Sequence, residues 1–397
     1  MERIGIYGGT FNPPHIGHIS AALQAVDALR LDKLLLIPDR IAPHKQLPDG
    51  SANPEQRLQM LKIAAQMYPQ LEVSDLEFQR EGISYTYLTI LELKEKYPDS
   101  ELLLLMGTDM FLSFDKWKNP DTILQNATLG VLYRGEKGEK AAIEAKKREM
   151  ESKGAKIELV QNDVVTISST DLRRMLIFRC ADDFLPDGVN AFIQMNNLYY
   201  TGVNYRHLSM DKLETAVKGL LKENRVAHVL GCRDTAVELA RCWGADETDA
   251  ARAALLHDIT KALDGPLQLT LCKEYGILLG AFGRANPKTL HALTGSLVAQ
   301  RIFGENEAVV SAIRHHTTGK PNMNLLQKII YVADYMEPNR DFPGVEKLRQ
   351  LAFTDIDAAL KLGLEMTINM LKEQGREISP ESMDALMWLS RKEETLC

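Results

Sequence analysis

The stretch Arg3-Ile4-Gly5-Ile6-Tyr7-Gly8-Gly9-Thr10-Phe11-Asn12-Pro13-Pro14-His15-Ile16-Gly17-His18 runs from an apolar segment through a glycine-rich turn. It then enters a helix whose apolar face is marked by Ile19, Ala22, Leu23, Val26 and Leu29. The opening run is too uniformly apolar for a half-exposed strand, so it reads as a strand covered on both faces. Similar runs recur at Lys33–Pro38, Leu71–Leu76, Glu101–Met106, Thr128–Tyr133 and Lys156–Gln161. Helical segments separate them: Asn53-Pro54 supplies an N-cap followed by proline at the first helical position, and Lys140–Lys153 stops at Gly154. Strands alternating with helices predict an α/β fold, a doubly wound parallel sheet of Rossmann-like type, over residues 1–200.

Beyond Tyr200 the strand runs cease. Leu213, Ala216, Val217, Leu220 and Leu221 share one helical face, and helical patterns continue to a last one opened by Ser379-Pro380-Glu381. An all-α domain is therefore expected over 209–397, with the polar stretch 201–208 as linker. A chain of 397 residues suits two domains at ~100–200 residues each. With 45% hydrophobic and 25% charged residues it has the composition of an ordinary globular protein. The net charge of −7 comprises 23 basic against 28 acidic residues up to position 200 and 24 against 26 beyond, so neither half has the basic excess of a nucleic-acid binder. Apolar stretches such as Leu102–Met106 are far shorter than the ~20 residues of a membrane span, and no signal peptide or anchor is expected. The five cysteines are dispersed, without a C-x-x-C pair, which fits a reducing cytoplasm. No oligomeric state is legible in this pattern.

A glycine-rich turn between the first strand and a helix N-terminus is a place where backbone N–H groups hold phosphate. His15 and His18 flank a glycine that permits close approach, so both imidazoles can donate to phosphate oxygens. This string resembles the H-x-G-H nucleotidyltransferases and, more narrowly, bacterial nicotinate-nucleotide adenylyltransferases. Further similar segments are Ala42-Pro43-His44-Lys45, Arg57, Ser84-Tyr85-Thr86, Met106-Gly107-Thr108-Asp109, Trp117, Ile167-Ser168-Ser169-Thr170-Asp171-Leu172-Arg173, and the ending from Leu185-Pro186 to Asn197-Leu198-Tyr199. Ile41-Ala42-Pro43 and Leu88 depart from the family's commoner residues. The resemblance implies transfer of AMP from ATP, carried with Mg²⁺, to nicotinate mononucleotide. Such a transfer is in-line, needs no covalent nucleophile, and is driven by positioning and charge stabilisation. His15 and His18 are assigned to the ATP phosphates, Lys45 and Arg173 to the β/γ end, and Ser168, Ser169 and Thr170 to phosphate at the next helix N-terminus. Gly8, Gly9, Thr10, Phe11, Asn12, Arg57, Thr86, Gly107 and Asp109 complete the expected nucleotide and substrate contacts, with Trp117 stacked on the nicotinate ring. An H-x-G-H transferase of another specificity is the alternative.

In the second half, His228, His257-Asp258, His291, His315-His316 and Asp334 are separated by 29, 34, 25 and 18 residues, counting through His316. Each lies on a predicted helix or at its end, so a bundle can aim them at one point. Histidine and carboxylate without cysteine suit iron, manganese or another divalent cation better than structural zinc, and six ligands at five positions suggest two ions. The order H…HD…H…H…D resembles the HD-domain phosphohydrolases. Arg225-Val226-Ala227-His228, Leu256-His257-Asp258-Ile259-Thr260-Lys261, His316-Thr317-Thr318-Gly319 and Val332-Ala333-Asp334-Tyr335-Met336-Glu337-Pro338 resemble the branch that cleaves diadenosine tetraphosphate symmetrically to two ADP. The resemblance implies metal ligation by His228, His257, Asp258, His291, His316 and Asp334, with Asp258 bridging and a water of lowered pKa attacking phosphate. Lys261 and Arg340 are then phosphate clamps, and His315 stands behind the ligands. A metal- and nucleotide-binding regulatory module without turnover is the alternative.

Overall fold

The computed structural model describes residues 1–41, 46–133, 138–163, 165 and 167–396, with side chains to 391. The chain divides into two compact units, Met1–Val203 and Asn204–Cys397. The first is a six-stranded, wholly parallel sheet of β1 (Arg3–Gly9), β2 (Lys33–Pro38), β3 (Leu71–Val73), β4 (Glu101–Gly107), β5 (Thr128–Tyr133) and β6 (Ile157–Gln161). Their order in the sheet, β3-β2-β1-β4-β5-β6, is the doubly wound arrangement, whose strand order reverses beside β1. Both faces are covered, as the uniformly apolar runs require. Ile4, Ile6, Leu35, Leu104 and Val131 pack with Phe111 and Phe114, while Leu34, Leu36, Leu103 and Leu105 are equally buried on the opposite face.

Two strands differ from the expectation. The edge strand β3 ends at Val73 rather than Leu76, because the Ser74 hydroxyl accepts from the Leu76 N–H at 3.3 Å and turns the chain into a short 3₁₀ turn, Leu76–Phe78. β1 runs on through Gly9, with Gly8 opposite Ile37 and Gly9 opposite Pro38. Those two glycines belong to the ladder, and the turn begins at Thr10.

The second unit is helical among its described residues. Glu223–Trp243, Glu247–Leu256, His291–Val298, Glu307–His315 and Leu325–Met336 carry or end at the five expected ligand positions. Ala250, Ala253 and Ala254 are fully buried on the second of these helices, and their small side chains let neighbouring helices approach closely. None of the described helices is long and apolar enough to cross a membrane.

Candidate active sites

At the reversal point of the sheet, β1, β4 and the helix Ser169–Ile177 border a cleft of about 720 Å³. Its wall includes His15, His18, Gly107, Asp109, Ser168 and Ser169 from the sequence expectation. The two imidazoles stack with ring centres 3.6 Å apart. The His15 backbone N–H donates to His18 Nδ1 at 3.2 Å, which places the ring proton of neutral His18 on Nε2. Burial drives the His15 pKa down to about 4, so this ring is neutral near pH 7, and its Nδ1 has no partner among the described residues. Gly17 has a steric role different from the expected one. A Cβ there would stand 3.0 Å from His15 Nδ1 and 3.3 Å from the Val165 carbonyl oxygen, so the glycine makes room for the His15 ring itself. The Ser168 hydroxyl accepts from the Asp171 N–H at 3.0 Å and caps the helix that faces the cleft.

Several expected contacts are instead consumed inside the protein. Phe11 and Asn12 are 2% and 4% exposed. Phe11 packs edge-on to His18, with centroids 5.0 Å apart, and a Cβ at Gly9 would press on the Phe11 ring at 3.1 Å. Asn12 donates to Ser51 Oγ at 2.9 Å, and its Oδ1 accepts from the Tyr199 hydroxyl at 2.8 Å. Arg57, on the helix Pro54–Ala65, is 1% exposed. It donates to the Thr10 carbonyl at 2.7 Å, Asp39 at 2.9 Å and the Arg40 carbonyl at 3.3 Å, while Thr10 donates its hydroxyl to Asp39 at 2.8 Å. Arg57 and Thr10 therefore brace the loop rather than face the cleft. Arg173 donates to the Asn12 carbonyl at 2.8 Å and to Thr170 Oγ1 at 3.1 Å, so its guanidinium ties the helix Ser169–Ile177 to the turn before His15. Trp117 packs 5.3 Å from Phe114 against the core, and Thr86 opens the helix Thr86–Lys96. Gly8 lies in the ladder, and Lys45 falls outside the described residues.

In the helical unit the six expected ligands converge. His228 Nε2 lies 3.1 Å from Asp334 Oδ1 and 3.3 Å from His257 Nε2. Asp258 Oδ1 lies 3.4 Å from His291 Nε2 and 3.7 Å from His316 Nε2, and Asp258 Oδ2 lies 3.4 Å from His257 Nε2. Each ring has its Nδ1 on an acceptor: Glu337 at 3.0 Å for His228, and the carbonyls of Ala254, Lys288 and Ile313 at 2.6, 2.9 and 2.7 Å for the others. With its proton on Nδ1 each ring turns Nε2 inward, the arrangement that metal ligation needs. Burial alone would raise the two aspartates, yet the facing histidines hold both well below the usual carboxylate range. Asp258 Oδ1 is buried with no hydrogen-bond partner among the described residues, a carboxylate oxygen whose lone pairs a cation would satisfy. His228, His257 and Asp334 form one ligand group and His257, Asp258 and His316 another, so the donor set fits divalent ions.

Three residues that the sequence reading quoted only within motifs, without a role, stand at this site. Arg225 Nε donates to Asp258 Oδ2 at 2.6 Å, three positions before His228. Glu337, three positions after Asp334, is 1% exposed behind His228. Thr317 Oγ1 lies 3.2 Å from His291 Nε2 and 3.1 Å from His316 Nε2. The i, i+3 spacing of Arg225 and Glu337 from expected ligands was the available signal. Among the expected clamps, Lys261 Nζ lies 2.9 Å from His291 Nε2 and Arg340 donates to Asp334 Oδ1 at 2.7 Å. His315 is absent from the ligand groups, its ring held to a pKa of about 4 by burial and by Arg314.

Two family models match the chain, cytidylyltransferase-like over residues 6–175 and HD domain over residues 225–339. A symmetrical bis(5'-nucleosyl)-tetraphosphatase of Halalkalibacterium halodurans is 43% identical over 172 residues, 42% of this chain and 89% of that protein. A probable nicotinate-nucleotide adenylyltransferase of Exiguobacterium sibiricum is 34% identical over 200 residues, 50% of this chain and 100% of that protein. Among solved structures, a predicted HD superfamily hydrolase involved in NAD metabolism from Clostridium acetobutylicum is 39% identical, with a TM-score of 0.46 over 47% of this chain and 98% of its own. The chain therefore belongs to two enzyme families at once, the nicotinate-nucleotide adenylyltransferases through its α/β unit and the HD-domain symmetrical tetraphosphatases through its helical unit.

Proposed function

We propose that this chain is a bifunctional cytoplasmic enzyme. Its α/β unit joins ATP and nicotinate mononucleotide into deamido-NAD and pyrophosphate, and its helical unit hydrolyses diadenosine tetraphosphate to two ADP. The stacked His15–His18 pair at the sheet's reversal point, facing the capped helix Ser169–Ile177, carries the first assignment. The mononucleotide phosphate oxygen attacks the α-phosphorus of ATP, and the bond to the β-phosphate oxygen breaks. His18 Nε2–H and the helix N-terminus hold the charge that develops on the phosphates. Mg²⁺ arrives with the nucleotide and neutralises its phosphates. Gly107, Asp109, Ser168 and Ser169 form the wall along which the nucleotide lies. Thr86 and Trp117 receive the nicotinate end, and Arg173 and Thr170 support the phosphate-facing helix.

The inward convergence of four imidazole Nε2 atoms on two carboxylates carries the second assignment. His228, His257, Asp258, His291, His316 and Asp334 hold divalent ions, iron or manganese by donor type, which supply positive charge and a water of lowered pKa. Lys261 and Arg340 receive phosphate oxygens at the rim. Water adds to a central phosphorus and the bridging oxygen leaves with the other half, so two identical ADP molecules result.

Product analysis tests both halves. The purified full chain, given ATP, nicotinate mononucleotide and Mg²⁺, is expected to form deamido-NAD. After loading with Fe²⁺ or Mn²⁺ it is expected to convert diadenosine tetraphosphate into ADP alone. Absence of deamido-NAD alongside adenylylation of another phosphate acceptor would overturn the first assignment. Bound metal with no cleavage of any dinucleoside polyphosphate would leave a binding module in place of the second.

A further inference from the structure

Among the four imidazoles expected as ligands, three are oriented by backbone. His257 and His316 close their helices, and His291 follows the 3₁₀ turn Pro287–Leu290. Carbonyls at such ends are released from the helical ladder, so each ring finds an acceptor for Nδ1 on the carbonyl three residues before it. His228 instead lies inside the helix Glu223–Trp243, where the carbonyls of the preceding turn are engaged in the ladder. Its Nδ1 turns to a side chain 109 residues away, the Glu337 carboxylate, at 3.0 Å. We infer that Glu337, seated by Gly231 and Asn339, is a positioning residue that fixes the His228 ring for metal ligation. The inference rests on the proposal that the helical unit is a metal centre.

Glu337 follows directly on the helix Leu325–Met336, three residues after Asp334. One helix end thus holds His228 at both nitrogens, with Asp334 Oδ1 3.1 Å from Nε2 and Glu337 Oε1 3.0 Å from Nδ1. The carboxylate is itself pinned. Its Oε2 accepts from the Asn339 N–H at 2.7 Å and from Asn339 Nδ2 at 2.8 Å, and the same Nδ2 donates to the Ala227 carbonyl at 3.2 Å, beside His228. Gly231, one turn beyond His228 on the same helix, leaves room for this arrangement: a Cβ there would press on Glu337 Oε2 and lie 3.0 Å from Asn339 Nδ2. Glycine is a poor helix former, and in mid-helix it serves here to admit the buried carboxylate. An ionised carboxylate only accepts hydrogen bonds, so a ligating His228 keeps its proton on Nδ1 against Glu337 and offers Nε2 to the cation. The negative charge behind the ring also raises its basicity as a ligand.

Two measurements test this: Mn²⁺ binding to the metal-stripped full chain, followed by the electron paramagnetic resonance of free Mn²⁺, and the proton NMR spectrum of the Co²⁺-loaded chain. In Glu337→Gln the amide oxygen stays on the two Asn339 donors, and the NH₂ meets the Nδ1–H of a ligating His228, donor against donor. Mn²⁺ affinity should fall by about 10- to 100-fold. Gly231→Ala drives the carboxylate off its seat and should lower the affinity by at least about tenfold. Alanine favours the helix, so this variant keeps the test open if Glu337→Gln fails to fold. Co²⁺ shifts the exchangeable Nδ1–H protons of ligating imidazoles far from the other protein resonances. Either variant should move the signal of one ring and leave the rest in place, whereas a general loosening of the bundle would move them all. Unchanged Mn²⁺ affinity in a folded variant, or ring protons that all move together, overturns the positioning role. An unaltered chain that binds no Mn²⁺ overturns the metal centre itself, which is a separate failure.

Discussion

His15 and Gly17 show how much chemistry one residue can set. Because the folded chain holds His15 near a pKa of about 4 against the ordinary 6.5, the unfolded state takes up a proton between those values that the folded state refuses. Stability is therefore full above pH 6.5 and falls as the pH drops through that window, by at most roughly 3 kcal/mol at its foot. His15→Gln should flatten this part of the stability–pH curve; denaturant titrations at pH 4.5 and 7 check it, and an unchanged slope would mean that His15 is not buried neutral. Gly17→Ala places a methyl group 3.0 Å from His15 Nδ1. The expected result is loss of adenylyl transfer by at least about tenfold, with hydrolysis by the helical unit untouched. Kinetics of both activities on one preparation decide it.

At the scale of the element, the helix Ser169–Ile177 and the loop after β1 hold the site together. Ser168→Ala removes the N-cap acceptor and should destabilise the α/β unit by about 1 kcal/mol while raising the KM for ATP. An ATP KM that stays constant would separate the cap from phosphate binding. Arg57→Met takes the guanidinium from Asp39 and two carbonyl oxygens in a half-buried place, which costs about 2–3 kcal/mol. Calorimetry of the full chain should show that loss, and Arg57→Lys should recover little of it, because one ammonium cannot replace a fork that reaches three acceptors. Periodicity places Arg57 on the stripe of Met60, Leu61, Ala64 and Ala65 that the helix Pro54–Ala65 buries, but only the tertiary structure supplies the acceptors that its guanidinium meets. Gly8 and Gly9, which read as part of a phosphate-holding turn, extend β1, and Gly9 leaves room for the Phe11 ring.

For the whole molecule, the division into two compact units predicts that the two proposed activities are separable. His18→Ala should abolish adenylyl transfer and spare hydrolysis, and Asp258→Ala should do the reverse. Assays of both reactions on both variants check the pairing; loss of both activities from either change would show that the units depend on each other.

The parallel sheet, the change to helices near residue 200 and the six convergent ligands were legible from the chain alone. Uniform apolar runs have no stable place except a sheet covered on both sides, and histidines spaced along successive helices can meet at a bundle's centre. Tertiary structure alone decided which polar groups face a ligand and which face the protein. Asn12, Arg57 and Arg173 look available in sequence, but their hydrogen bonds close within the fold. Glu337 and Thr317 look incidental, yet they stand against the ligand imidazoles. A polar side chain's role depends on which donors and acceptors surround it in space, and that neighbourhood is assembled from segments up to 187 residues apart, as in the bond from Tyr199 to Asn12.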